Sequence, residues 1–89
     1  MKPEEQMLIG AVRYALGRQS YIVGDTCAFV ASVRKKLSKK CINIIIRDIR
    51  ESISFYRNIG KHCGDIHDEH DWELLLEMLV EEVQHGKDG

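Results

Sequence analysis

The densest run of chemically capable side chains lies between residues 62 and 71, where His62, Cys63, Asp65, His67, Asp68, Glu69, His70 and Asp71 place imidazole, thiolate and carboxylate groups within ten residues. Zinc accepts imidazole and thiolate in a tetrahedral set, so His62 or Cys63 with His67 and His70 would fill three positions. The spacing argues against such a site. There is no Cys-x-x-Cys pair and no His-Glu-x-x-His motif, and neighbours such as His62 and Cys63 rarely bind one ion together. A solvated loop leading into a helix cap accounts for the same residues, so no metal and no cofactor is expected.

A second cluster is basic. Arg34, Lys35, Lys36, Lys39 and Lys40 put five cations into seven residues. Such a patch neutralises phosphates, and the amides of a helix starting beside it add anion affinity. Read as a helix-turn-helix, the segment would make residues 34–40 the turn and the next helix the reader, carrying Arg47, Arg50 and Arg57. A solvated basic turn is the plain alternative. A third cluster is acidic: from Asp65 to Glu82 there are eight acids and no Lys or Arg. Glu73, Glu77 and Glu81 recur every four residues, which lines them along one strip of a helix. That strip can imitate nucleic-acid phosphates or engage a basic groove on a protein partner, or it can be the wet side of an amphipathic helix.

Catalysis finds little support. Ser20, Ser32, Ser52 and Ser54 lack a Gly-x-Ser-x-Gly setting, His62 beside Cys63 is no nucleophile–base pair by adjacency alone, and there is no phosphate-binding glycine loop.

The elements that must carry these clusters read as helices. Pro3 suits a first helical position, Glu4 and Glu5 suit the positive end of the helix dipole, and Met7, Leu8, Ala11, Val12, Ala15 and Leu16 follow at helical spacing, giving a helix over residues 3–16 with Gly17 as its stop. A connector over residues 18–24 leads to Asp25, the expected N-cap of a second helix whose core stripe is Phe29, Val30, Val33 and Leu37. Ser38 caps a third helix, in which Ile42, Ile45, Ile46, Ile49, Ile53 and Tyr56 form one apolar stripe, widened by Cys41 and Ile44; Gly60 ends it. Arg47 and Glu51 are spaced for an ion pair. Residues 61–68 form the main loop, and a fourth helix over 69–84, capped at Asp68, buries Trp72, Leu75, Leu76, Leu79 and Val83. The expected fold is all-α, a compact bundle of about four helices in one domain over residues 1–89, with a tail fraying from about residue 86. The alternative is an α+β arrangement using 21–23 and 43–46 as short strands, since Ile44-Ile45-Ile46 is β-prone.

Composition narrows the class. Eighty-nine residues with 44% apolar and 30% charged content fit a small globular domain, and no apolar run approaches the length of a membrane span. Met-Lys-Pro-Glu-Glu offers no apolar signal region, and three scattered cysteines make no disulfide framework, so a cytoplasmic setting is expected. Net charge is −1, yet residues 1–64 carry a net +7 and residues 65–89 a net −8. Such a dipole either closes on itself or presents two faces of opposite sign.

Ala15-Leu16-Gly17-Arg18, Tyr21, Val23, Ile45-Ile46-Arg47-Asp48-Ile49, Gly64-Asp65 and Trp72 together resemble small bacteriophage and prophage accessory proteins, over a span from about Val12 to Trp72. The resemblance implies a phage gene product of a class that includes inhibitors of bacterial defence, such as anti-CRISPR proteins and proteins that sequester immune nucleotide signals. In that setting the acidic strip Glu73, Glu77 and Glu81 would hold a host defence protein. Arg18, Arg47 and Tyr21, if they converge, would hold a nucleotide, two guanidinium forks on phosphate and an aromatic face on the base. The plain reading of Arg18, Arg47 and Asp48 is a tether between helices. Self-association is also expected, because a small helical domain with Tyr21, Phe29 and Trp72 gains by burying surface between copies. A nucleic-acid-binding regulator built on Arg34, Lys35, Lys36, Lys39, Lys40 and Arg50 is the alternative function.

Because no metal is expected at residues 62–71, a chelator should leave the thermal unfolding transition where it is; a lowered Tm in EDTA would identify a structural ion there.

Overall fold

The computed structural model describes residues 1–18, 22–63 and 69–85. It contains four helices, α1 (Pro3–Arg18), α2 (Ile22–Val33), α3 (Lys39–Cys63) and α4 (Glu69–His85), with a single 3₁₀ turn, Arg34–Lys36, between α2 and α3. There is no strand among the described residues. The all-α expectation therefore holds, and the α+β alternative fails: Ile22 and Val23 open α2, and Asn43 to Ile46 lie inside α3.

The helices pack in a ring, α1 on α3, α3 on α4, α4 on α2 and α2 on α1. Side-chain contacts fix their directions. Glu5 reaches Ser38 and Arg13 reaches Asp48, so α1 and α3 run parallel. Arg57, late in α3, meets Glu69 and Glu73 at the start of α4, so that pair is antiparallel. The groove between α1 and α2 is likewise antiparallel, with Lys2 and Glu4 opposite Val33 and Lys36.

One core fills the ring. Ile42, Ile45, Ile46, Ile49 and Ile53 of α3 are buried together with Cys41, as their spacing requires. Leu8, Ile9, Val12, Ala15 and Leu16 meet them from α1, Val23, Cys27 and Val30 from α2, and Trp72, Leu75 and Leu79 from α4. Leu76 and Val83 are half-buried at the margin. The side chain of Tyr56 at the end of the predicted α3 stripe, the Asp68 cap and the tail beyond residue 85 lie outside what the structure describes.

Five local expectations are corrected. Gly17 lies within α1, and Gly60 lies within α3, which continues to Cys63. A glycine within a helix costs only about 1 kcal/mol, so each helix runs a short way past it. Asp25 is not a cap: α2 begins three residues earlier and places Asp25 in its first turn, where the helix dipole still favours a carboxylate. The inward face of α2 consists of Val23, Cys27 and Val30, about one turn apart each, and Phe29 is 57% exposed. Trp72, expected to help bury surface between copies, is wholly inside the monomer.

The start of α3 shows why the bundle closes as it does. Ser38 is its N-cap: the Cys41 amide donates to Ser38 Oγ at 3.2 Å. In a capping box the residue three beyond the cap, if Glu, accepts the N–H of the cap residue itself. That position is Cys41, which has no carboxylate. Glu5 of α1 fills the role from across the interface, its Oε2 accepting the Ser38 N–H at 2.7 Å. Through Oε1 the same carboxylate accepts the Lys2 N–H at 3.2 Å, completing the cap of its own helix. Glu5 is only 5% exposed, and it is the one acidic side chain buried among the described residues.

The Ser38 and Lys2 amides hold the Glu5 carboxyl below its ordinary 4.5. A depressed folded-state value means that the stabilisation is full above about 4.5 and fades as pH falls through the lower folded value. Urea melts should therefore show wild-type stability declining on acidification below about 4.5, whereas Glu5→Gln should start less stable at neutral pH and converge on wild type in acid. Leu75→Ala, by contrast, should cost about 2–5 kcal/mol at every pH, from lost burial and the cavity left behind.

Candidate functional site: charged faces and an apolar groove

The charge dipole of the sequence is partly closed by the fold. Arg57 of α3 donates from Nε to Glu69 Oε1 at 2.7 Å and from Nη2 to Glu73 Oε1 at 2.6 Å. Arg34 turns inward to α4, its Nη1 lying 2.7 Å from Met78 Sδ and its Nε 3.6 Å from Glu82 Oε2. Arg50 borders the groove between α3 and α4, beside Glu77 and Glu81. Three arginines of the basic half thus stand against the acidic helix.

What remains is divided between two surfaces. Lys35, Lys36, Lys39 and Lys40 are all exposed around the 3₁₀ turn and the first turn of α3. Among the acidic-strip residues, Glu77 and Glu81 are exposed on α4, whereas Glu73 is bound to Arg57. The basic turn read from the sequence therefore separates by role: Arg34 faces the interior edge and the four lysines face solvent.

Arg47 and Asp48 take the tethering arrangement. Asp48 accepts from Arg13 Nε at 2.7 Å, joining α1 to α3, and Arg47 Nη2 lies 3.8 Å from the same carboxylate. The spacing-based pair Arg47–Glu51 is not formed; Asp48 is nearer. Arg18 closes α1, but its side chain and all of Tyr21 lie outside the described residues, as do the side chains of His62 and Cys63 and the whole of His67. No cluster of metal-ligating side chains occurs among the described residues, where His70 is exposed on α4.

Groups with displaced proton affinity mark structural contacts. Glu5 is held ionised by the two caps, Arg13 is raised by hydrogen bonding to Asp48, and burial, aided by the Glu5 charge, pushes the Cys41 thiol up. A protonated, buried thiol is a poor nucleophile.

One feature was not legible as a surface in the sequence. Between α1 and α2 an apolar groove runs past Met7, Leu8 and Ala11 on one side and Phe29 on the other. Met7 is 76% exposed, although helical spacing had placed it with the core residues. Both α1 and α2 carry apolar residues over more of their circumference than one core can cover, and that excess was the available signal.

Neither a protein-family model, a curated protein nor a solved structure matches the chain. No helix among the described residues is long and apolar enough to cross a membrane.

The exposed ion pairs should contribute little to stability. Arg57→Ala should cost less than about 1 kcal/mol in denaturant melts despite its two carboxylate partners, and that difference should shrink further in high salt. A loss of several kcal/mol would mean that the α3–α4 contact depends on charge.

Proposed function

We propose that this chain is a non-enzymatic accessory protein of phage type that acts by stoichiometric binding, its target a component of bacterial defence. The observation that carries this reading is exposed charge of both signs: Lys35, Lys36, Lys39 and Lys40 are exposed around the 3₁₀ turn and the start of α3, and Glu77 and Glu81 are exposed on α4. Charge left exposed in this way steers and selects a partner of opposite sign. The resemblance to phage accessory proteins supports the class of target.

Within this reading the protein partner meets the acidic edge of α4 through Glu77 and Glu81, with Glu73 contributing where its bond to Arg57 exchanges. The nucleotide version, built on Arg18, Tyr21 and Arg47, draws its support from the resemblance alone. The nucleic-acid alternative has one observation in its favour, the four exposed lysines at the start of α3. Arg50 and Arg57, which it would use for reading bases, lie toward α4.

The test is a plaque assay in bacteria carrying a defined defence system and expressing the chain. Restored plaque formation is expected with wild type, and its loss with Glu77→Lys/Glu81→Lys, two exposed positions whose substitution should preserve the helical circular dichroism. No restoration in any system, or restoration that survives the double substitution, contradicts the protein-binding form. The nucleic-acid alternative instead requires a duplex mobility shift that weakens steeply with salt and is lost in Lys39→Glu/Lys40→Glu.

A further inference from the structure

The apolar groove between α1 and α2 is separate from the charged faces just described. Its floor and walls are Met7, Leu8, Ala11 and Phe29, and the exposure of Met7 and Phe29, at 76% and 57%, is high for side chains of their size. Large apolar side chains gathered in one groove mark an interaction surface more strongly than the same residues scattered singly.

The rim of the groove is charged. At the end where α1 begins and α2 finishes stand Lys2 and Lys36, together with Glu4 and Glu5. At the opposite end, beside Ala11 and Thr26, stands Asp25. Along α2 and the turn that follows it, the exposed charges thus run from Asp25 at one end to Lys36 at the other. A copy of the same groove laid across it by a two-fold rotation meets it in reverse, so that Lys36 of each chain faces Asp25 of the other. A two-fold interface uses the same patch on both subunits and must be self-complementary in this sense. A parallel stacking would set Lys36 on Lys36 and Asp25 on Asp25.

We infer that the α1–α2 groove is the dimer interface of this protein, occupied by the same groove of a second copy in antiparallel orientation, with Met7 and Phe29 at its centre and Lys36–Asp25 pairs at its ends. The pairing leaves Glu77 and Glu81 of α4 uncovered, because α4 packs on α2 and α3 at the other side of the ring. The dimer stands independently of the proposed target: loss of defence inhibition without loss of self-association, or the reverse, separates the two.

Sedimentation velocity of the full chain from micromolar to millimolar concentration tests the inference. Wild type should pass from monomer to dimer over that range, and Met7→Lys or Phe29→Asp should keep it monomeric with unchanged circular dichroism, since both side chains are already exposed. Lys36→Glu and Asp25→Lys should each weaken the dimer about tenfold or more, two like-charge contacts replacing two ion pairs. The double variant Asp25→Lys/Lys36→Glu should restore it. A wild-type monomer at every concentration, a dimer indifferent to Phe29→Asp, or the absence of rescue in the charge-swapped double variant would each overturn the assignment.

Discussion

Two parallel helices packed side by side bring two N-termini together, and with them two sets of unsatisfied amides and two positive dipole ends. Here α1 and α3 are parallel neighbours, and a single carboxylate lies between their starts. Glu5 accepts the Lys2 N–H within α1 and the Ser38 N–H at the cap of α3. Ser38, oriented by that bond, accepts the Cys41 amide and begins the longest helix of the molecule. Burying an acid is costly unless its charge is met by donors, and here both oxygens are met. The same contact sets the axial register of α1 against α3, and the Arg13–Asp48 pair repeats that register about two turns further along.

Much of this was legible in the sequence because it depends on periodicity. The α3 stripe from Ile42 to Ile53, the Ser38 cap and the burial of Trp72, Leu75 and Leu79 on α4 follow from residue types at fixed local spacing, and the structure shows them, with Leu76 and Val83 partly buried. The features that escaped depend on neighbours far along the chain. Glu5 was recognisable as an acid at a helix start, but nothing in the chain between it and Ser38, 33 positions on, indicates that it also caps α3. Gly17 and Gly60 carry local stop signals, yet α1 runs one residue past the first and α3 three residues past the second. Phe29 was assigned to the core in one stripe with its neighbour Val30; adjacent helical positions point in different directions, and it is Val30, with Val23 and Cys27, that takes the inward one.

The charged residues show a similar division. Sequence alone establishes that the two halves of the chain differ in sign, while the fold decides how much of that difference is spent internally. Antiparallel packing of α3 on α4 sets Arg57 beside Glu69 and Glu73, and the 3₁₀ turn brings Arg34 to Met78 and Glu82. Arginine, with its planar fork, takes these bridging positions, while the lysines stay in solvent. The apolar groove lies between α1 and α2, and Glu77 and Glu81 lie on α4.

The account depends most directly on the ionised Glu5 carboxylate at the junction of α1 and α3. Its titration can be followed by the carbon-13 shift of Glu5 Cδ, with the Ser38 amide proton shift recorded in the same spectra. The structure predicts a midpoint below the ordinary 4.5 and a Ser38 amide resonance that moves with the same midpoint. A Glu5 midpoint at or above the ordinary value, with a Ser38 amide indifferent to it, would contradict the double cap and the helix register built on it.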